Sequence, residues 1–366
     1  MIMVCKTFRR YATIMSVLIM TLITINPAAK ASSVATDGLL SAVYVYDGSK
    51  TKYRDEDAAA IDQMFYAFAL FRGGRLSTSH WKNVKAFKAY LEKHPHITPI
   101  LSIGGWGADG FSQAAATEEG RKTFARQAVA LMEEYGFAGV DIDWEYPGLS
   151  VAGIKSSPAD RTNYTLLLRA LRSNLDALTE ADGKPRRLCI ALSGSPDMIS
   201  NLQCSEIGAV VDQVNLMTYD QQMPGIASHH TALYASNPQA LSASAGLQAY
   251  VAAGIPAAKI MLGVAFYGYR WRTKESEPLY RKATQKDTLP YTTISKMIQK
   301  RADADYYDAT AQAPYYADGK VFISYDDARS IEHKRLYAKE HELMGLFAWS
   351  YGSDATGTLI GAMRGR

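Results

Sequence analysis

Phe137-Ala138-Gly139-Val140-Asp141-Ile142-Asp143-Trp144-Glu145-Tyr146-Pro147 is the stretch on which the reading of this chain turns. Three carboxylates, Asp141, Asp143 and Glu145, alternate with Val140, Ile142 and Trp144. An extended strand puts next-but-one residues on one face, about 6.6 Å apart, so the acids share a face and the apolar residues take the other. A solvated edge strand would not flank its acids with Val, Ile and Trp. Clustered acids also suit a divalent cation, but the chain has no H-E-x-x-H and no EF-hand loop, so neither metal nor cofactor is expected.

Working outward, short apolar runs recur on both sides. Ala42–Tyr46, Met64–Ala69, Ile97–Ile103, Gly139–Trp144, Leu188–Leu192, Gln213–Tyr219, Ile260–Ala265 and Gly345–Trp349 read as eight strands. Amphipathic segments separate them, among them Glu118–Tyr135, Asp160–Leu178 and Asp327–His341. Strands alternating with helices pair in parallel, and eight units close a ring. The expected fold class is therefore α/β, a (β/α)8 TIM barrel over residues 38–366. An open doubly wound sheet is disfavoured because no G-x-G-x-x-G opens a helix after an early strand. In a barrel the acids must face the lumen, with Glu145 at the C-terminal end where barrel chemistry sits.

Residues 269–325 break the rhythm between strand seven and the next helix, being too long for an ordinary loop. A helix-like Tyr291–Arg301 and strand-like Tyr315–Tyr316 and Val321–Ser324 predict a small α+β insertion walling one side of a cleft.

Three acids in a confined lumen cannot all ionise cheaply, because desolvation and mutual repulsion raise at least one pKa. A carboxylic acid kept protonated near neutral pH can protonate a leaving group, which is what glycosidic cleavage requires.

With those residues in place the chain resembles glycoside hydrolase family 18, the chitinase-type barrels, whose strand-four motif is D-x-x-D-x-D-x-E. Ser102-Ile-Gly104-Gly105-Trp106 resembles the family's S-x-G-G on strand three, Met217-Thr-Tyr219-Asp220 its M-x-Y-D on strand six, and Phe347-Ala-Trp349 its strand-eight segment. Phe266-Tyr267-Gly268 and Phe322–Asp327 match further. The resemblance implies an exported hydrolase of β-1,4-linked N-acetylglucosamine, acting with retention on chitin or its oligosaccharides, the sugar's own acetamido oxygen being the nucleophile. It makes Glu145 the general acid and base, has Asp143 orient the acetamido group, and lets Asp141 share Asp143's proton. Tyr219 would hydrogen-bond the acetamido carbonyl, Asp220 would contact the distorted sugar, and Trp349 would form its floor. Gly104 and Gly105 leave room for ligand; Trp106, Tyr146, Met217 and Tyr267 are expected to line the subsites, and Trp271 and Tyr315 are plausible sugar contacts. Tyr46 and Phe68 are read equally as barrel filling or cleft wall. Related activities the resemblance leaves open are an endo-β-N-acetylglucosaminidase on glycoprotein or peptidoglycan glycans and a non-catalytic chitin-binding lectin. The chain departs from the family at Ala138, where the first motif acid stands, at Ala265 and at Ser350.

Charge places the chain. Of 40 basic and 36 acidic residues, Lys6, Arg9, Arg10 and Lys30 lie in residues 1–31, which hold no acid. The remainder carries 36 of each, a net of zero, and offers no global field for nucleic acid or an anionic membrane. A basic n-region, the apolar Ala12–Ile25 and the small-x-small Ala29-Lys30-Ala31 read as a secretory signal peptide over residues 1–31. At fourteen residues the apolar run is shorter than the ~20 that span a bilayer. A secreted or periplasmic protein without stable membrane insertion is expected. Cys189 and Cys204 are left open as a disulfide or as buried thiols. His229-His230 and His94-Pro-His96 lack a third ligand at suitable spacing and are expected to be loop or surface histidines.

Overall fold

The computed structural model describes residues 38–48 and 51–366; the expected signal peptide lies outside them. Eight parallel strands, Leu40–Tyr46, Gln63–Arg72, Thr98–Gly104, Gly139–Asp143, Arg187–Ser193, Gln213–Met217, Ile260–Ala265 and Gly345–Trp349, pair in sequence order. The first bonds both the second and the eighth, closing the barrel. All eight expected strands are present. The fourth ends at Asp143 and the sixth at Met217, so Glu145 and Tyr219 stand two residues past their strands, on the C-terminal rim.

The strand-four alternation sorts the core into two layers. Val140, Ile142 and Trp144 are buried against the surrounding helices. Between barrel and solvent lie Glu118–Tyr135, which Thr117 caps by accepting from the Gly120 N–H at 3.1 Å, and Asp160–Asp182. Inside the barrel Tyr44, Phe65, Ile100, Met261 and Phe347 form a separate apolar plug. Tyr44 and Phe65 stack with centroids 4.7 Å apart. Each such buried side chain contributes about 1.5–3 kcal/mol of transfer free energy. Cys189 points into this lumenal layer, whereas Cys204 belongs to the outer one. The barrel wall separates them, and both are buried free thiols.

The insertion is larger than expected. It begins at Tyr267, and its antiparallel sheet has five strands, in the order Thr284–Pro290, Tyr267–Arg272, Val321–Ser324, Ala313–Ala317, Asp305–Asp308. The helix Tyr291–Lys300 follows the first of these directly. Among the described residues no helix is long and apolar enough to cross a membrane.

Candidate active site

The C-terminal rim opens into a cleft of about 1590 Å³. Parallel register sets Ser102 beside Asp141 and Gly104 beside Asp143, which brings the strand-three and strand-four motifs together. The acids form a column. Asp141 is fully buried at its base, Asp143 is 4% exposed above it, and half-buried Glu145 lines the cleft.

One oxygen of Asp141 accepts from the Tyr44 hydroxyl at 2.9 Å and the Ser102 hydroxyl at 2.7 Å. The Asn215 amide donates to the Tyr44 hydroxyl at 2.8 Å and accepts from the Gln213 amide at 2.9 Å. With its lone pair engaged by Asn215, Tyr44 is directed to give its proton to Asp141. The other Asp141 oxygen, and one oxygen of Asp143, are buried with no protein hydrogen-bond partner, an arrangement costly for a carboxylate unless a proton or a ligand's N–H is supplied.

Burial raises all three acids. Asp141 is pushed up to about 7 by desolvation, against the pull of Ser102 and Tyr44. Asp143 is raised well above the usual range by desolvation and then by the charges of Glu145 and Asp141. Glu145 is raised to about 7 by desolvation, with a hydrogen bond from Tyr146 opposing it and the Asp220 charge adding to it. Burial and the Asp143 charge keep the Tyr219 hydroxyl protonated, so it is available as a donor.

Around the acids stands an aromatic enclosure. Trp349 stacks on Phe68 at 5.6 Å and 18° and faces Tyr46 at 6.0 Å. Trp106, 65% exposed, stands edge-on to Tyr146 at 6.4 Å. The Tyr267 hydroxyl donates to Asp220. The two glycines of strand three are required by contact. A Cβ on Gly104 (φ 122°) would lie 2.0 Å from the Asp143 carbonyl oxygen, and one on Gly105 (φ 89°) 2.5 Å from the Phe68 ring. Peptide bonds Ala67–Phe68, Glu145–Tyr146 and Trp349–Ser350 are cis. A lumenal acid column beneath a cleft walled by aromatic plates can hold sugar rings by their faces and give one of them a proton.

The model of the family described as glycosyl hydrolases family 18 matches residues 42–354. The chain belongs to this family. Chitinase A1 of Niallia circulans is 36% identical over 305 residues, which are 76% of this chain and 43% of that protein. The chain therefore spans less than half of that relative. The class V chitinase of Arabidopsis thaliana is 32% identical over 335 residues, 86% of each chain. Among solved structures, a family 18 N-acetylglucosaminidase from Paenibacillus barengoltzii superimposes with TM-score 0.83 at 37% identity, covering 89% of this chain and 99% of that one. The protein is a chitinase or chitinase-like glycoside hydrolase.

For this family 18 hydrolase the structure brings Glu145, Asp143, Tyr219, Asp220, Gly104, Gly105, Trp106, Tyr146, Met217, Tyr267, Trp349, Tyr46 and Phe68 to one cleft, with Asp141 directly beneath. Two expected sugar contacts are corrected. Trp271 is fully buried, and Tyr315 packs with it and Phe322 on a part of the insertion sheet that does not line the cleft. The histidine pair falls in a loop, one of the two places expected for it, and not on the surface. His229 and His230 are 2% and 0% exposed. No cluster of metal-ligating side chains occurs among the described residues. Sequence reasoning missed Tyr44 and Asn215, although each stands two residues before a named one, Tyr46 and Met217, and so shares its lumenal face.

Proposed function

We propose that the protein hydrolyses β-1,4 linkages between N-acetylglucosamine units with retention, Glu145 protonating the leaving oxygen while the substrate's acetamido oxygen attacks C1. In this reading the unpartnered buried oxygen of Asp143 receives the acetamido N–H and stabilises the oxazolinium ion; Asp141, held by Tyr44 and Ser102, takes up the exchanged proton. Tyr219 donates to the acetamido carbonyl, Asp220 contacts the distorted sugar, and Trp349 supports its apolar face. Glu145, deprotonated in the first step, then activates the water that opens the oxazolinium. The observation that carries this reading is the acid column itself: a protonatable Glu145 on the cleft floor, directly above a carboxylate whose free oxygen has nothing in the protein to bond.

Glu145→Gln should abolish turnover of chitooligosaccharides while keeping their binding, since it removes the proton donor with little change of shape. Unchanged hydrolysis would overturn the assignment. A non-catalytic lectin is disfavoured by the retention of Glu145, Asp143 and Tyr219. The N-acetylglucosaminidase similarity favours one second reading, release of single N-acetylglucosamine units from chain ends, and mass spectrometry of products from oligomers of several lengths separates it from internal cleavage. Residues 1–31 would direct export and be removed, giving a mature chain that starts at Ser32.

A further inference from the structure

His229-His230 is a conspicuous motif still without a role, and the structure gives it two distinct sets of contacts. His229 points into the insertion, where its Nε2 lies 3.2 Å from Asp308; that carboxylate also accepts from Ser236 at 2.6 Å and from the backbone N–H groups of Thr310 and Ala311 at 2.9 and 3.1 Å. His230 faces the cleft wall. Its ring packs against both Tyr267 and Tyr269, with centroids 5.3 and 5.1 Å away. Its own N–H donates to the Ser324 hydroxyl at 2.9 Å, and its carbonyl accepts from Gln221 at 3.0 Å. Segment 228–231 is thus clamped from both sides.

What His230 holds is Asp220. The Asp220 N–H donates to His230 Nδ1 at 3.4 Å, and that nitrogen lies 3.8 Å from the Asp220 carboxylate. Asp220 has φ 59°, a left-handed conformation uncommon outside glycine that Asp adopts more readily than most residues and that local hydrogen bonds hold in place. Accepting at Nδ1 puts the ring proton on Nε2, which is buried without a partner. Tyr267 engages the Asp220 carboxylate from the other side. Since Asp220 directly follows Tyr219, the same constraint sets the direction of both side chains.

We infer that His230 is a positioning residue for the hydrolysis, its Nδ1 pinning the Asp220 peptide so that Asp220 and Tyr219 meet the distorted sugar together, while His229 anchors that support to the insertion. This rests on the roles given to Asp220 and Tyr219 under Proposed function.

Asn and Leu are nearly the same shape, but only Asn keeps an acceptor near the Nδ1 position. His230→Leu should lower kcat/KM on chitooligosaccharides about tenfold or more and weaken inhibition by a thiazoline analogue of the oxazolinium by a similar factor, because the analogue reads the same geometry. His230→Asn should stay within about threefold of wild type in both. A merely structural role would reduce the folded fraction, and so kcat, at unchanged thiazoline Ki. Should His230→Leu not fold, His230→Phe, which fills the ring's volume, takes its place in the comparison. Equal Ki for the variants with and without the acceptor overturns this inference alone. A wild-type enzyme indifferent to the thiazoline overturns the acetamido reading first, and this inference with it.

Discussion

At the scale of single residues, the acid column is expensive to fold and useful to keep. Glu145 must be protonated to act first, and its pKa is raised to about 7. The kcat/KM profile should therefore fall as pH rises above about 7, with the alkaline limb lost together with activity in Glu145→Gln. Stability moves in the same direction. An acid whose folded-state pKa is raised holds its proton over a range where the unfolded chain, with carboxylates near ~4, has released it. Between those limits the native state binds more protons, so its stability declines as pH rises through the folded value. Asp143→Asn removes one such group. The melting temperature of this variant relative to wild type should become more favourable from pH 5 to pH 8, while its kcat falls about a hundredfold or more from loss of the carboxylate beside the developing cation. A pH-independent difference in melting temperature would mean that Asp143 carries no raised pKa.

At the scale of elements, the strands show what periodicity conveys. All eight barrel strands and the helices Glu118–Tyr135 and Asp160–Asp182 were readable because burial on two faces imposes apolar runs on strands, and on one face a 3–4 spacing on helices. Thr284–Pro290 and Asp305–Asp308 were not. They are the two edges of the insertion sheet, and the first has almost every residue exposed, so no burial writes a pattern into Thr-Gln-Lys-Asp-Thr. The site was legible where a motif carries chemistry along one strand. It was not legible where partners come from far apart, as with Asn215 on Tyr44, 171 residues away, or His230 on Asp220 across a loop. Gly104 tests the junction between strands three and four. A side chain there meets backbone, not a yielding rotamer, and sits at positive φ. Gly104→Ala should cost about 2–5 kcal/mol, read as a lowered denaturation midpoint with loss of activity. An unperturbed midpoint would show that the two strands can separate at no cost.

At the scale of the whole molecule, closure of the barrel is backed by the last helix reaching across to the first strand. The terminal helix Thr358–Met363 buries Leu359, Ile360, Ala362 and Met363. Arg364 donates to the Leu39 carbonyl at 3.0 Å and to Asp62 at 2.5 Å, tying the last turn to the residues that lead into the first and second strands. Ending the chain after Gly357 forfeits about 5–9 kcal/mol of apolar burial, comparable with the entire net stability of a typical domain. No folded, soluble enzyme should be recovered from that truncation, and a cooperative melt in the truncated protein would refute the closure argument. The five tryptophans lend the intact molecule one further property. Trp144 and Trp271 are sealed in the interior, Trp81 and Trp349 are partly covered, and Trp106 alone stands open to water beside the cleft. An indole in water emits to the red, and a saccharide laid across it would shift its emission to the blue. The protein thus carries its own optical gauge of occupancy. Glu145→Gln titrated with chitotetraose should show that shift, and Trp106→Ala should silence most of it.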